Sequence, residues 1–477
     1  MQKLIGRLEE QAVLRKVLRG NEPEFLALYG RRRVGKTFLI REFFREAIRF
    51  ELTGIHDASR SLQLRNFSDQ LARAMGTRLR PEVPADWYAA FGQLTTYLES
   101  LDTARRHVVF FDEIPWLATR RSGFLQALEH FWNSWASRQP HLVVIICGSA
   151  AAWMIDKVIH NRGGLYNRVT RRIRLEPFSL AEVRQFLESR NVRLESRQII
   201  ELFMVLGGIP HYLKEVEPRC SAAQNIDAIC FSPSGLLATE FPHLYAALFE
   251  QPARHLEIVR ALASHPSGLT RQQLLEKADR SSGGRTTATL DELVESGFVH
   301  RIDPWDKARR DALYRLADEF SLFYLKWMES QRRRGEGTWL KLRGTPAWRV
   351  WSGYAFENVC LRHLPRIKHA LGIAGVETTH GSWLHRPTTR VDEGAQIDLL
   401  IDRRDDVINV CEVKFADDQF VIDKQYARDL QRKLDVFRRA TRTHKSLFLT
   451  MITTFGVRNN AYAADLVASE ITMEDLF

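Results

Sequence analysis

Cysteine is sparse: there are 5 in 477 residues, at Cys147, Cys220, Cys230, Cys360 and Cys411, and no two form a C-x-x-C pair. That excludes a dense disulfide framework and favours a thiol-reduced, cytoplasmic compartment. Cys147 and Cys411 stand inside apolar runs and read as small core residues. No stretch reaches the roughly 18 consecutive apolar residues of a membrane span, so no membrane partner is expected. The opening Met1–Arg7 lacks the apolar centre of a signal peptide. Internal repeats and low-complexity tracts are also lacking. The charge imbalance is modest: 69 Lys plus Arg against 58 Asp plus Glu give +11, a balance that favours anionic partners and leaves the fold open.

Against those absences, apolar residues make up 45% and charged residues 27%, as expected of a globular protein. The length calls for roughly two to four domains. Phe25–Tyr29, His107–Phe111 and Leu142–Cys147 are short buried-strand runs separated by helical patterns, the signature of a mostly parallel sheet covered on both faces. A helix is expected over Thr37–Ile48. Past Pro177-Phe178 the pattern turns helical, with Ser179 able to cap a helix to Ser189 and Gly207-Gly208 breaking the next. Helices over His255–Ala263, Thr270–Ala278 and Thr286–Glu295 precede a hairpin of Gly297–Ile302 and Ala312–Leu316, together a winged helix-turn-helix pattern. The last segment offers a helix at Gly353–Leu364 and strands at Gln396–Ile401, Val407–Val413 and Ser446–Met451.

Gly30-Arg31-Arg32-Arg33-Val34-Gly35-Lys36-Thr37 fits the nucleotide-binding pattern GxxxxGK[ST], the Walker A loop. Its glycines let backbone N–H groups converge on phosphates, and the following helix adds its positive end. Lys36 would reach the β- and γ-phosphates of ATP, and Thr37 would offer its hydroxyl to Mg2+. Asp112 ends a buried strand and suits the metal shell. Glu113 would polarise the attacking water, although acidic residues also cap strand ends. Ser149, after Cys147-Gly148, could bond the γ-phosphate or that water, or simply form a turn. Arg168 is the first choice for charge stabilisation, in cis or from a second copy. Arg162, Arg171, Arg172 and Arg174 are weaker candidates that a solvated basic surface explains equally well.

Ile5-Gly6-Arg7 with Glu9 and Glu10, the phosphate loop, Asp112–Leu117, Cys147-Gly148-Ser149 and Leu165–Arg168 together resemble the archaeal-type P-loop ATPases, a branch of the AAA+ and STAND-like NTPases. Relatives carry Gly-Arg where this chain has Asn167-Arg168, so the arginine is kept. The resemblance covers about residues 1 to 240 and implies ATP hydrolysis, a helical lid and a following winged-helix domain.

Near the C-terminus, Asp398 lies in an apolar strand, and Glu412 and Lys414 share one face of the next. Closely packed carboxylates repel unless a cation intervenes, and Mg2+ would supply one. Glu357, on the upstream helix, could complete the set. Glu357, Gly394–Asp398 and Glu412-Val413-Lys414 resemble the PD-(D/E)xK nuclease fold, including the version appended to archaeal-type ATPases. The resemblance implies that Glu357, Asp398 and Glu412 hold Mg2+ and that Lys414 positions water or stabilises developing charge. Short D…ExK patterns also arise in charged chains without catalysis. Lys424 and Gln425, just beyond, could touch backbone phosphate or only solvent.

The expected fold is α/β: a P-loop NTPase parallel sheet with a helical lid, a winged helix-turn-helix, and a C-terminal restriction-endonuclease-like α/β domain. The expected divisions are 1–175, 176–250, 251–335 and 336–477. The main functional expectation is an ATPase controlling a nucleic-acid-acting, Mg2+-dependent nuclease domain, with duplex DNA favoured over RNA as partner. Two alternatives stand beside it: a nucleotide-controlled switch or scaffold whose C-terminal domain recognises nucleic acid or a protein without cutting, and a winged-helix DNA-binding regulator; a homo-oligomer or a protein partner is compatible with each. Asp291, Glu292 and Glu295 make the third helix of that winged pattern acidic, which weakens it as a phosphate reader. Arg285 stands at the start of that helix, and Trp327 with the run Arg332-Arg333-Arg334 could contact nucleic acid, although a scattered tryptophan is more often packing.

Overall fold

A computed structural model describes residues 4–159, 167–277, 284–303, 305, 312–331, 335–385 and 393–477. The chain folds into two compact units, Met1–Pro177 and Phe178–Phe477. Among the described residues no helix is long and apolar enough to cross a membrane.

The first unit is built on five parallel strands: β1 Glu24–Tyr29, β2 Ile48–Thr53, β3 His107–Asp112, β4 Leu142–Gly148 and β5 Arg171–Arg174. Their order is β2-β3-β4-β1-β5, so β4 separates β1 from β3. β1, β3 and β4 are buried along nearly their whole length, which requires apolar residues of both parities. Phe25, Phe50, Leu52, Val109, Phe111, Val144 and Ile146 meet one group of helices, Arg60–Ala74, Trp87–Glu99 and Phe124–Ser134. There the Trp87 and Phe124 rings pack edge to face at 4.8 Å. Leu26, Leu28, Val108 and Phe110 point the other way and are equally buried.

One expectation in this unit needs correcting. The helix after the phosphate loop is Lys36–Phe43 and stops short of Ile48, which opens β2. The arginine run 171–174 forms the edge strand β5, on which Arg171, Arg172 and Arg174 stay exposed. Only Ile173 points inward, while Arg171 pairs with Glu24 at 3.3 Å and Arg174 with Glu176 at 2.6 Å.

The second unit opens with helices. Ser179 and Glu182 form a reciprocal capping box on Leu180–Ser189, and Gly207 and Gly208 take left-handed backbone after Ser196–Leu206. Next come helices Pro252–Ala263, Arg271–Lys277 and Gly284–Glu295, with a three-stranded antiparallel sheet of β6 Leu269–Thr270, β7 Val299–Ile302 and β8 Leu313–Leu316 in the order β6-β8-β7. Arg162, Leu165, Tyr166 and Arg332-Arg333-Arg334 lie outside the described residues, as do Pro304 and residues 306–311 of the β7–β8 turn.

The final sheet has the order β13-β12-β11-β10-β9, with β9 Thr378–His385, β10 Ala395–Arg403, β11 Val407–Lys414, β12 Ser446–Thr453 and β13 Val467–Ile471. β9, β10 and β11 run antiparallel, and β12 and β13 are parallel to β11. Helix Lys424–Thr441 covers this sheet with Val436, Phe437 and Leu430. Helix Pro346–Arg362 begins seven residues earlier than the expected Gly353 and is capped by Thr345. It also packs against β11.

Within the β7–β8 connection, Trp305 is tied to the final sheet and its helix. Trp305 packs its ring 5.2 Å from Phe437, donates its indole N–H to Asp402 Oδ2 at 2.9 Å and its backbone N–H to the Ser382 carbonyl at 3.2 Å. A Cβ on Gly381 would sit 2.5 Å from the Asp303 carbonyl oxygen, so glycine is what lets β9 approach the hairpin.

Candidate functional site

β1 delivers the chain to Gly30, whose φ of 140° is open to glycine. A Cβ there would lie 2.3 Å from the Leu175 carbonyl oxygen. Arg33 (φ 70°) and Gly35 (φ 94°) then curl the loop into the helix that starts at Lys36. Val34 is buried and Arg32 is partly exposed on the same turn. The Lys36 ammonium folds over the loop and donates to the carbonyls of Gly30 and Arg31, both at 2.9 Å. Arg7, also left-handed at φ 58°, is buried and bridges two carbonyls: Glu176 at 2.6 Å and Val34 at 3.1 Å. The sequence pattern alone assigns Arg7 no role. Its clue was an arginine immediately after Ile5-Gly6, ahead of a helix whose first turn holds Glu9 and Glu10.

The strand order puts the ends of β1, β3 and β4 side by side, which is where a parallel sheet gathers its ligand-binding groups. Asp112 Oδ2 accepts from the Thr37 hydroxyl at 2.8 Å, and its Oδ1 accepts from the Glu113 N–H at 3.1 Å. Burial pushes the Asp112 carboxyl upward and neighbouring Glu113 adds to this, against the Thr37 hydrogen bond and the Lys36 charge, which hold it down. Glu113 has left-handed backbone at φ 49°, a conformation that costs about 1 kcal/mol for a residue with a Cβ. Its Oε2 accepts from the Ser149 hydroxyl at 2.8 Å and the Ser149 N–H at 3.2 Å. Ser149 is therefore engaged with Glu113, a use that the expected phosphate or water contact did not include. Arg168 is exposed in the turn before β5.

The C-terminal residues come together from four elements. β10 and β11 pair up to Leu399 and Cys411, so Asp398 and Glu412 stand one step further along. The β9–β10 register shifts between Ile397 and Leu400, and this irregularity frames Asp398. Glu357, on helix Pro346–Arg362, is pushed up to about 7 by burial first and by the Asp398 carboxylate second, against Arg315 and Lys414. Its Oε2 accepts from Arg315 at 2.7 Å. Asp398 accepts from Gln396 at 2.6 Å.

Glu412 is the most heavily engaged of the three. Oε1 takes the Tyr426 hydroxyl at 2.6 Å and Lys414 Nζ at 2.9 Å, and Oε2 takes Lys433 Nζ at 2.8 Å. Burial works to raise its pKa, but Lys414, Lys433 and the Tyr426 bond outweigh it and hold the carboxyl down at about 2. Burial and the Glu412 carboxylate push the Tyr426 phenol up. Tyr426 and Lys433, seven residues apart on one face of helix Lys424–Thr441, were not among the expected site residues, and neither was Arg315 on β8. Lys424 and Gln425 are exposed on that helix's first turn. Among the described residues, no group of three or more His, Cys, Asp or Glu side chains is arranged to hold a metal ion.

Residues 4–216 match a family described as an ATPase domain predominantly from Archaea. The uncharacterized protein MJECL04 of Methanocaldococcus jannaschii is 24% identical over 440 residues, which span 90% of this chain and 91% of that one. Among solved structures, the Walker-type ATPase PABY2304 of Pyrococcus abyssi is 19% identical with a TM-score of 0.48, covering 68% of this chain and 96% of its own. The ORC2 protein of Aeropyrum pernix is 15% identical with a TM-score of 0.44, covering 68% and 92%. The family match overlies the phosphate loop, Asp112 and Glu113, and with that geometry it supports ATP binding and hydrolysis within residues 4–216.

Proposed function

We propose that this protein is a nucleotide-controlled switch, in which ATP hydrolysis in the first unit governs a C-terminal domain that engages nucleic acid without cutting it. In the ATPase, the Thr37 hydroxyl and the Asp112 carboxylate, 2.8 Å apart and beside the loop, fit a magnesium ion accompanying the nucleotide. Glu113, oriented by Ser149, orients the attacking water and accepts its proton. Exposed Arg168 supplies positive charge to the transferred phosphoryl group, from this copy or a neighbour.

The observation that carries the non-cutting reading is the state of Glu412. A carboxylate that already accepts from two ammonium groups and a phenol is poorly placed to hold a catalytic cation. We read the sheet β9–β13 with its two helices as PD-(D/E)xK-like, and residues 252–316 as a winged helix. Trp305 commits the hairpin of that winged helix to packing, which supports a connecting role for it over a DNA-reading one. The proposed functional divisions remain 1–175, 176–250, 251–335 and 336–477.

The test combines ATP turnover with gel-shift titration of duplex DNA for the intact protein, Lys36→Ala and Glu113→Gln. The expectation is that Lys36→Ala abolishes nucleotide response and that Glu113→Gln, loaded with ATP, locks one DNA affinity. DNA binding that is absent or indifferent to nucleotide in all three would sink the proposal. Magnesium-dependent cleavage is the second reading, and the proximity of Glu357 and Asp398, felt in the raised Glu357 pKa, favours it. DNA breakdown that disappears in Asp398→Ala would establish it.

A further inference from the structure

We propose that Lys433 takes the place of a divalent cation at Glu412, so that the positive charge of the C-terminal cluster is built into the chain and keeps magnesium out. This inference rests on the PD-(D/E)xK-like reading of the β9–β13 sheet, which would require a metal at Glu357, Asp398 and Glu412.

The residues present do not fit that metal as they stand. Magnesium demands near-octahedral oxygen ligands at about 2.0–2.1 Å, and a carboxylate has about four lone-pair sites to give. Three of those on Glu412 are taken: Tyr426 and Lys414 on Oε1, Lys433 on Oε2. Glu357 spends its Oε2 on Arg315, and the two side chains are 14% and 6% exposed. Glu357 and Glu412 are thus each turned toward a cation of the chain, and Asp398 toward the Gln396 amide. An ion entering between them would also meet the ammonium groups of Lys414 and Lys433, which repel it.

The geometry of Lys433 makes this a fixed feature of the fold. Tyr426 and Lys433 are two helical turns apart on one face, and helix Lys424–Thr441 is anchored by the packing of Leu430, Val436 and Phe437 against the sheet. The Glu412 carboxylate is 11% exposed and Lys433 is 25% exposed, so the pair is shielded from solvent on most sides. An ammonium is a compact point charge that matches a carboxylate or a phosphate equally well.

The experiment is calorimetric titration of Mn2+ alone into the nucleotide-free full chain, comparing the natural protein with Lys433→Met, Lys433→Gln and the double variant Lys433→Met/Glu412→Gln. Circular dichroism confirms that each is folded. The expected result is that both single variants gain one Mn2+ site at least tenfold tighter than any in the natural protein, and that the double variant loses it. A natural protein that already binds Mn2+ at Glu412, losing it in Glu412→Gln, would overturn the proposal, and so would folded single variants that gain nothing. DNA binding is measured separately: its absence would defeat the switch reading while leaving the metal result as it stands.

Discussion

Glu113 and Ser149 sit at the ends of β3 and β4 and are joined twice, by the serine hydroxyl at 2.8 Å and the serine N–H at 3.2 Å to the same carboxylate oxygen. The doubled bond fixes a side chain whose backbone is held left-handed. The two substitutions should therefore differ in degree. Glu113→Gln should lower kcat for ATP hydrolysis by about a hundredfold or more, as loss of a general base does. Ser149→Ala should lower it by about tenfold, the value of one hydrogen bond. KM should change little in either. Steady-state turnover across an ATP titration measures both, and an unchanged kcat in Ser149→Ala would remove its orienting role.

Arg7 ties Val34 in the phosphate loop to Glu176 after β5. Arg7→Met keeps the stem and leaves two buried carbonyls short of a donor, a loss of about 2 kcal/mol. The expected outcome is a lower Tm together with a KM for ATP raised about tenfold at nearly constant kcat. Thermal melts and the same ATP titration read it; an equal drop in kcat would mean that Arg7 touches the chemistry.

His363 closes helix Pro346–Arg362 and is buried. Its Nδ1–H donates to the Val359 carbonyl at 2.8 Å, and its Nε2 accepts from the Leu180 N–H at 3.0 Å, which requires a neutral ring. Burial lowers its pKa from 6.5 to about 4, with Arg362 and Arg366 adding to this against the Val359 bond. The unfolded chain therefore binds the proton more readily, so this stability is complete above pH 6.5 and is lost as pH falls toward 4. The linkage amounts to roughly 3 kcal/mol. Glu357, raised from 4.5 to about 7, works in the opposite direction over pH 4.5 to 7, stabilising the fold at the acid end. The contrast between the natural protein and His363→Asn isolates the histidine: urea midpoints of the two should converge as pH drops from 7.5 to 5. Parallel curves would refute the neutral-ring assignment.

What could be read in the sequence was local. The phosphate loop and the strand before it are specified within a few neighbours, as is the Ser179–Glu182 capping box. The errors arose where a pattern was ambiguous or a partner distant. Phe43 and Phe44 continued a helical pattern into Ile48, although the chain had already turned to begin β2. Arg171, Arg172 and Arg174 hid an edge strand because only Ile173 needs to face inward. The contacts that decide the state of the carboxylate cluster span long stretches: Arg315 is 42 residues from Glu357, and Lys433 is 21 from Glu412. Periodicity relates residues within one element, so it could align Glu412 with Lys414 but could not bring helix Lys424–Thr441 over them.

Trp305 reaches the rings and the carboxylate of a sheet whose first strand begins more than seventy residues later in the chain. The middle and C-terminal segments consequently share one set of buried side chains. Neither can be exchanged for a counterpart from another protein unless the replacement brings its own aromatic plug; otherwise the graft opens a tryptophan-sized void beside Phe437 and leaves Asp402 with Lys445 alone.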